Sequence, residues 1–372
     1  MKKKKIILIG AVPPPYHGTN ISNARILNSK IRKIYSLYHL DTSDHRDLKN
    51  LGRIDPANIF LSFKNFFSLL FMIIKKRPDL VYLVVAQNLA YLRDGVFILI
   101  IKFFSKASVV IHLRSSYFKK HYDKSNWFMK KFIDFTLGKV DAAVVLGNSL
   151  RSILNKWIKN IKVVPNGTDF NPDISKKCFG NKKELVISFL GNLYEFKGIL
   201  DLLEAARIVF EKNVNVKLIF GGPWPENEPE IKEKAFKFIK DNKMEDRVEF
   251  KGLVIDKEKE KFFLDTDIFV MPSWSEGHPN VILEAMAAAC PVISTKNVGA
   301  ISETIVNGET GILVNKKSPR EIAGAVNYLI KSPGEIERMG RAGRLRFEKN
   351  YTLKENIGNL INVFNETLNK VK

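Results

Sequence analysis

The sequence has few residues that could cross-link the chain or anchor it within a bilayer. Only two of the 372 residues are cysteines, Cys178 and Cys290, which argues against a disulfide framework and fits a reducing compartment. Neither has a second cysteine or a histidine at metal-ligand spacing. The most apolar stretch, residues 59–74, is interrupted by polar side chains. No run reaches the roughly 18 uncharged apolar residues of a membrane-spanning helix.

Glutamate is absent from residues 1–168, whose nine acidic side chains are all aspartates. The same segment has 29 lysines and arginines, a formal net charge of +20. Residues 169–372 carry 31 basic and 30 acidic side chains, so nearly the whole formal charge of +21 lies in the first half. Such a field attracts anionic surfaces, either nucleic acid or the acidic lipids of a cytoplasmic leaflet.

The start of the chain has the basic residues and apolar continuation of a signal peptide. Its apolar run, residues 6–12, is too short, and no small-residue cleavage site follows, so we interpret it as a first buried strand. The Gly-x-Gly-x-x-Gly fingerprint of dinucleotide-binding domains is also absent from the loop that follows.

Apolar runs of strand length alternate with helical segments along the chain. Strands are predicted at residues 6–11, 78–85, 108–113, 141–146, 161–164, 185–190, 216–222, 248–252, 268–271 and 292–295. Helices are predicted at residues 21–33, 59–76, 96–104, 149–157, 199–211, 318–330 and 354–372. This rhythm predicts an α/β fold with doubly wound parallel sheets, whose ligands bind outside the carboxyl ends of the strands. Consecutive turn residues at 165–167 indicate a domain boundary, giving domains 1–168 and 169–350 and a terminal helix, 351–372.

Residues 273–291, SWSEGHPNVILEAMAAACP, combine two carboxylates with a glycine turn and a helix start. Glu276 precedes the turn, and Glu284 follows eight residues later, on a helix whose first turn contains Pro279 and Asn280. Amide groups in the first turn of a helix have no intrahelical acceptor, so this turn is a potential anion site. An ordinary loop followed by a helix with a solvated glutamate would share this pattern.

The segment SEGHPNVILEAMAAACPVIST is similar to the Glu-x7-Glu signature of the retaining glycosyltransferases of family 4. The resemblance implies the GT-B architecture, two Rossmann-like doubly wound domains facing a central cleft, with the acceptor bound by the first domain and the nucleotide sugar by the second. It also implies that the terminal helix crosses back to the first domain. By position, Glu276 lies near the transferred sugar and Glu284 holds the ribose. The resemblance covers residues 160–350 strongly and the first half only in pattern.

Residues 191–198, GNLYEFKG, resemble the family segment G-R-L-x-x-x-K-G, in which arginine and lysine grip the pyrophosphate. Lys197 precedes a predicted helix, where its ammonium and the helix dipole both favour a diphosphate. Asn192 occupies the position of the arginine, which removes one cation. The resemblance makes nucleotide-sugar-binding candidates of Gly18, Gly191, Asn192, Lys197, Gly222, Gly277, His278, Pro279, Asn280, Val281 and Glu284. Gly18 matches only partly, because Thr19 replaces the usual second glycine.

His112 lies near the end of the predicted strand 108–113. A neutral imidazole there can accept a hydrogen bond from a hydroxyl, and members of the family often carry a histidine at this strand end in contact with the donor sugar. We therefore expect His112 to act in catalysis with Glu276 and Lys197. A histidine satisfied beside the core is the alternative. Arg114 would face an anionic acceptor, or else lie on the surface.

Two segments of the basic half interleave lysines with aromatic residues, the composition of an interfacial helix. They are residues 119–131, KKHYDKSNWFMKK, and the phenylalanine-rich residues 60–71, although helix faces packed on a sheet have a similar composition. The candidates for an acceptor or membrane surface are Arg114, Lys119, Lys120, Trp127, Lys130 and Lys131.

The resemblance implies a retaining transfer of sugar from a UDP- or GDP-linked donor, with no cofactor. The charge asymmetry suggests an acceptor that is lipid-linked or another anionic envelope glycan, reached in the cytoplasm at the inner face of the membrane. Asp265 and Asp267 form an Asp-x-Asp that precedes a strand rather than following one, so we predict no metal site. The alternatives are a nucleotide-sugar 2-epimerase on the same fold and a basic nucleic-acid-binding protein. For the latter, no zinc spacing, RNA-binding signature or helix-turn-helix pattern is present, and we expect no nucleic-acid partner.

Overall fold

A computed structural model of the chain describes residues 3–14, 18–44, 56–87, 90–179 and 182–370. The chain divides into two compact units, each held together by its own contacts. The first unit comprises Met1–Gly167 and Leu353–Lys372, and the second comprises Thr168–Thr352. The chain therefore passes from the first unit to the second directly after the predicted turn at residues 165–167, and its last segment returns to the first unit.

Each unit contains a six-stranded parallel sheet. The first sheet is formed by β1 (Lys5–Ile9), β2 (Ser36–Leu40), β3 (Leu80–Val85), β4 (Ser108–Leu113), β5 (Ala142–Val145) and β6 (Ile161–Val163). The second is formed by β7 (Leu185–Leu190), β8 (Val216–Gly221), β9 (Val248–Phe250), β10 (Ile268–Met271), β11 (Val292–Thr295) and β12 (Gly311–Val314). Strands such as β3, β4, β10 and β11 are buried at every position, which explains their continuous apolar sequences.

Helices cover the sheets. They are α1 (Gly18–Leu27), α2 (Ile31–Ile34), α3 (Pro56–Lys76), α4 (Ala90–Phe104), α5 (Phe118–Lys124), α6 (Trp127–Leu137), α7 (Ile199–Lys212), α8 (Pro229–Asp241), α9 (Asp256–Asp265), α10 (Asn280–Ala287), α11 (Ile301–Thr304), α12 (Pro319–Lys331), α13 (Pro333–Asn350) and α14 (Leu353–Asn369). The predicted α/β fold with two doubly wound sheets is confirmed.

The first sheet has a separate apolar core on each face. On one face, α3, α4 and α6 contribute Leu69, Phe97 and Ile133 to a core with the sheet. On the other face, α1 and α14 pack through side chains that include Ile26 and Phe364. The last helix of the chain thus covers one face of the first sheet, although the whole second unit precedes it in sequence.

Several local predictions are wrong. The strand β2 was not predicted. It is a half-exposed edge strand, so its sequence has neither a continuous apolar run nor a clear alternation of apolar and polar residues. The predicted helix 21–33 ends at Leu27, where the Ser29 hydroxyl donates to the Ile26 carbonyl (2.7 Å) and competes with the helix. The predicted helix 149–157 is a short 3₁₀ segment, Asn148–Ile153, followed by turns. The helices α8 and α9 were not predicted. The apolar periodicity of α9 is weak, whereas Ile231, Ala235 and Ile239 of α8 recur every four residues and are buried, a signal that the sequence analysis did not use.

The two sheets differ in strand order. The first runs β2-β1-β3-β4-β5-β6, and the second runs β12-β11-β10-β7-β8-β9. In the first sheet, β1 and β3 are neighbours, and the chain leaves them toward opposite edges of the sheet. In the second sheet, the same is true of β7 and β10. Such switch points open a crevice at the carboxyl ends of the strands, where α/β sheets bind ligands.

Candidate functional site

The loops that follow β7 and β10 diverge at the switch point of the second sheet, yet direct hydrogen bonds hold them together. The Trp274 amide donates to the Phe196 carbonyl at 2.7 Å, and the Ser273 hydroxyl donates to the same oxygen at 3.2 Å. Gly198 has φ +77°, and a Cβ there would lie 2.4 Å from the Pro272 carbonyl oxygen. A glycine is therefore required at this crossing, which places Lys197 beside the second loop.

Lys197 and Glu276 form an ion pair across these two loops. The Lys197 Nζ lies 2.6 Å from the Glu276 Oε1, and the two side chains are only 19% and 11% exposed. Because both side chains are largely shielded from water, salt and solvent screen their attraction less than that of an exposed pair. The sequence singled out both residues from separate motifs 79 positions apart, and the structure joins them in one site.

The helix α10 starts beside this pair. Pro279 occupies the N-cap position in an extended conformation, and Asn280 is the first helical residue. The first turn of α10 therefore begins four residues after Glu276. The anion site expected there stays a prediction. Glu284 lies one turn into the helix with its side chain 5% exposed, and its Oε1 is 3.0 Å from the Lys259 Nζ.

Lys259 was not identified from the sequence. It belongs to α9, where alternating lysines and glutamates predict a solvated face rather than a partner for a buried carboxylate. Its side chain is 22% exposed and also lies over the Phe170 ring, 5.3 Å from the centroid. No local sequence signal distinguishes it from its neighbours, because the pairing spans 25 residues.

Glycine turns at the ends of β7 and β8 bring backbone against backbone. Gly191 and Gly222 have φ of +152° and +126°, and a Cβ on Gly222 would lie 2.0 Å from the Gly191 carbonyl oxygen. The Gly222 amide donates in turn to the Gly252 carbonyl at 2.6 Å. Asn192 follows the first of these turns and is half-buried. The turns leave main-chain groups open to close approach by a ligand.

His278 was predicted to contact the nucleotide sugar, but in the structure its side chain is hydrogen bonded to another residue of the second unit. Its Nε2 lies 2.9 Å from the Thr304 Oγ1, and the ring is buried. Burial lowers the pKa of His278 to about 4, so the imidazole is neutral at physiological pH. The side chain therefore secures the loop to α11, while Gly277 and Val281 on either side are half-exposed.

Trp274, in the segment 273–291, also holds this loop in place through its indole ring. The Trp274 Nε1 donates to the Asp201 Oδ2 at 2.7 Å, and the Lys317 Nζ lies 4.2 Å from the centroid of the indole ring. Burial raises the pKa of Asp201. The hydrogen bond from Trp274 and the charge of Lys317 offset part of this rise. The sequence analysis did not single out these residues, although an aromatic residue two positions before Glu276 was an available signal.

In the first unit, His112 is fully buried near the end of β4. Its Nδ1 is hydrogen bonded to the Tyr82 hydroxyl, and its Nε2 makes no hydrogen bond to any residue that the structure describes. Burial, followed by the charge of Arg114, holds the pKa of His112 well below its usual range. The imidazole is therefore neutral, as predicted, with one nitrogen available for hydrogen bonding.

Arg114 and Gly18 occupy neighbouring parts of the first unit's carboxyl edge. The half-buried Arg114 places its Nη1 3.4 Å from the Asn166 Oδ1, a weak hydrogen bond, and burial lowers its pKa. Gly18 is the first residue of α1, which follows β1 at the switch point of this sheet. Residues 15–17 of the predicted glycine loop lie outside the described residues.

The predicted surface residues lie on α5 and α6. Lys119, Lys120 and Lys131 are exposed, and Trp127 is 64% exposed, with the Lys131 Nζ 6.0 Å from the centroid of its ring. Lys130 is half-buried and lies over the Tyr122 ring at 5.8 Å. Across the described residues, no helix is both long enough and apolar enough to cross a bilayer.

The Asp-x-Asp segment has a structural role. The Asp267 Oδ1 lies 2.7 Å from the Lys182 Nζ, and its Oδ2 accepts the Val186 amide at 2.9 Å, which joins β10 to β7. Within the described part of the chain, no three histidine, cysteine, aspartate or glutamate side chains are grouped as metal ligands.

The paired Rossmann-like units define the class of fold as GT-B. A sucrose-phosphate synthase from Thermosynechococcus elongatus has the same fold, with a TM-score of 0.79 at 18% identity over 98% of this chain and 99% of its own. The Anabaena HepE structure in complex with UDP and glucose matches with a TM-score of 0.70 at 15% identity, over 98% and 99% of the two chains.

A family match is found in the second unit. Residues 170–346 match the family described as Glycosyl transferases group 1. The chain is 34% identical over 185 residues to the capsular polysaccharide biosynthesis glycosyltransferase CapM of Staphylococcus aureus. That match covers 48% of this chain and 46% of CapM, so the chain spans about half the length of this curated relative.

Proposed function

We propose that the protein transfers a sugar from a nucleotide diphosphate sugar to a glycan or lipid-linked acceptor, with retention of configuration. The observation that carries the proposal is the Lys197–Glu276 pair, which lies beside the start of α10 and the buried Glu284 at the switch point of the second sheet. The match of residues 170–346 to the glycosyltransferase family favours this reaction over the 2-epimerase and nucleic-acid-binding alternatives.

The second unit binds the donor. Lys197 and the first-turn amides of α10 bind the diphosphate, the glycine turns at Gly191 and Gly222 admit it close to the backbone, and Glu284 accepts hydrogen bonds from the ribose. The UDP in the HepE structure supports a UDP-linked donor, and GDP is the alternative. With Asn192 in place of a cation, Lys197 provides the side-chain charge at this position.

The same groups assist the reaction without a metal ion or other cofactor. As the bond between sugar and diphosphate breaks, negative charge grows on the leaving phosphate, and Lys197 with the α10 amides stabilises it. Binding of the donor draws Lys197 from Glu276, whose carboxylate then holds sugar hydroxyls or stabilises the positive charge that develops on the ring. His112 in the first unit offers its Nε2 to a sugar hydroxyl.

The first unit binds the acceptor, with Arg114 facing its anionic part. The name of CapM supports a polysaccharide product, and the excess of basic residues in positions 1–168 favours action in the cytoplasm at the inner face of the membrane. A variant in which Lys119, Lys120, Lys130 and Lys131 are changed to Gln should lose binding to anionic liposomes and retain nucleotide binding. Unchanged liposome binding would contradict the electrostatic part of this proposal.

Titration calorimetry with UDP and GDP tests the donor site. Lys197→Met should weaken binding of the correct nucleotide about 10- to 100-fold, because a hydrogen bond between two charged groups is lost. Lys217→Met, which removes an exposed pair with Glu184 in the same unit, is the matched control. Equal affinities for wild type and Lys197→Met would exclude Lys197 from the site.

Substitution of the two glutamates separates binding from chemistry. Glu276→Gln releases Lys197 from its partner, so we expect nucleotide affinity to be maintained or increased while the rate of transfer falls. Glu284→Gln should instead weaken binding of the nucleotide sugar. If both variants lost affinity equally, the distinct roles of the two carboxylates would be wrong.

A further inference from the structure

The exposed side of α3 carries a stripe of large apolar side chains. Phe60, Phe63, Phe67, Phe71 and Ile74 recur at intervals of three and four residues, which places them along one face of the helix. Each is 60–72% exposed. The opposite face is buried against the first sheet, so this helix is apolar on both sides. Packing of the first unit explains only the buried side.

The helices beside α3 extend the stripe. The helix α4 packs against α3, and α6 packs against α4, so the three form one layer on the same face of the sheet. Phe103 on α4 is 81% exposed, and Phe128 on α6 is 76% exposed. We call the exposed set the aromatic face: Phe60, Phe63, Phe67, Phe71, Ile74, Phe103, Phe104, Trp127, Phe128 and Phe135.

Positive charge surrounds the aromatic face. Exposed lysines include Lys64, Lys75, Lys106, Lys131 and Lys139. Two of them lie over rings of the face, with the Lys139 Nζ 4.4 Å from the Phe135 centroid and the Lys75 Nζ 5.1 Å from that of Phe71. Lysines beside aromatic rings are the arrangement of interfacial helices, whose ammonium groups contact lipid headgroups while their rings enter the acyl boundary.

Carboxylates of the three helices do not oppose this charge. The sequence of α3 contains none. The one in α4, Asp94, is fully buried, and the one in α6, Asp134, accepts hydrogen bonds from Tyr122 and Trp157.

We propose that the aromatic face inserts into the interfacial region of a bilayer that contains acidic phospholipids. The inference deepens the membrane-surface part of the proposed function. The sequence indicated residues 60–71 and 119–131 by composition alone, and the exposed side chains of α3, α4 and α6 now define the surface that inserts. Insertion of rings adds a contribution to binding that salt does not screen, beyond the attraction of lysines to headgroups.

The charge distribution favours a lipid surface over a second copy of the chain. Two copies joined through this face would bring together two segments that each carry a formal charge of +20, and the described helices of the face offer no exposed carboxylates to compensate. An acidic bilayer supplies the opposite charge and an apolar layer for the rings.

Flotation with vesicles provides the test. The vesicles consist of phosphatidylcholine with about 30% phosphatidylglycerol, and the triple variant replaces Phe63, Phe67 and Phe71 by Gln. Wild type should float with these vesicles and retain part of its binding at high salt. The variant should bind about tenfold or more weakly and lose the salt-resistant fraction, because three rings no longer enter the bilayer.

The matched control changes exposed apolar residues of the second unit, Val214, Leu253 and Leu345, to Gln, and should float as wild type does. Equal flotation of the Phe variant and wild type would overturn the proposal. It would also be overturned if sedimentation showed wild type to be a dimer that the Phe variant dissociates, with vesicle binding unaffected. The assay contains no nucleotide sugar, so its failure would leave nucleotide binding by the second unit as a separate result.

Discussion

The two units share a sheet architecture and differ in almost everything that a ligand would meet. Both have six parallel strands, but the first has its switch point between β1 and β3 and the second between β7 and β10. Residues 1–168 have a net charge of +20, whereas residues 169–372 are nearly neutral. The first unit exposes aromatic rings on its outer helices, and the second carries helical ion pairs such as Arg207–Glu211 and Lys237–Asp241.

This comparison shows how one fold can serve two kinds of surface. The second unit concentrates its distinctive chemistry at the strand ends, where Lys197, Glu276 and Glu284 lie almost out of solvent. The first unit has one neutral histidine at a strand end and distributes its charge over the exterior. The fold supplies the position of the edges, and the side chains decide what each edge or face can bind.

Removal of α14 should produce the largest difference in stability between the two units. Its side chains Ile357, Leu360, Val363 and Phe364 are at most 4% exposed in the core of the first unit. At about 2 kcal/mol each, their burial contributes about 8 kcal/mol, which is comparable to the total stability of a domain. A chain ending at Thr352 should therefore lose amide protection in residues 3–167 by hydrogen exchange, while residues 168–352 still bind the nucleotide. Retained protection in the first unit would refute this dependence.

Alanine substitution at one glycine in each unit distinguishes how the strand ends of the two units are packed. At Gly222 a new Cβ would meet the backbone of Gly191 at 2.0 Å, whereas at Gly10 it would meet the Asn23 side chain at 2.7 Å. Because backbone cannot move aside and φ at Gly222 is positive, we expect Gly222→Ala to cost about 3 kcal/mol and Gly10→Ala about 1 kcal/mol. Urea denaturation measures both, and equal costs would show that the two edges are equally adaptable.

Each unit contains a buried neutral histidine that makes its stability depend on pH. In the second unit the pKa of His278 is about 4, and in the first unit the pKa of His112 is also lowered. A lowered histidine pKa means that the unfolded chain binds a proton below about pH 6.5 that the folded chain does not, so stability falls as the pH falls. For His278 the loss reaches about 3 kcal/mol near pH 4 and then levels off.

Glutamine substitution removes these titrations one unit at a time. His278→Gln should reduce the acid sensitivity of the second unit only, and His112→Gln that of the first only. Hydrogen exchange of the core amides at pH 7 and pH 4.5 reads the two units separately. A variant whose acid sensitivity equals that of wild type in its own unit would show that the histidine is not responsible.

The smallest effect should come from the ion pair that joins α14 to β6. Lys162 and Glu366 are 34% and 50% exposed, so water screens their attraction. Glu366→Gln should change the stability of the first unit by less than about 0.5 kcal/mol. A larger loss in urea denaturation would mean that charge, rather than apolar burial, holds α14 in place.

Strand positions were predicted best where both faces of a sheet are covered. The predicted ranges 108–113, 268–271 and 292–295 coincide with β4, β10 and β11, because continuous burial leaves a continuous apolar run. The range 185–190 coincides with β7, whose last four residues are buried. The edge strand β2 was missed because it is half-exposed, and α9 was missed because its surface is charged. The GT-B architecture came from the resemblance rather than from periodicity, and the comparisons confirm it.

For the candidate residues of each unit, the sequence determined which residue types were available. Glu276, Glu284, Lys197 and His112 could be singled out because local motifs and strand ends are encoded by neighbouring residues. The roles proposed for them stay predictions.

Only the tertiary structure decided which of these side chains meet. The bond between Lys197 and Glu276, the pairing of Glu284 with Lys259 and the engagement of His278 with Thr304 join residues 79, 25 and 26 positions apart. The aromatic face likewise required knowledge of which side of α3 the sheet covers. Local patterns fix the period of an element, but its partners depend on long-range packing, which no short stretch of sequence contains.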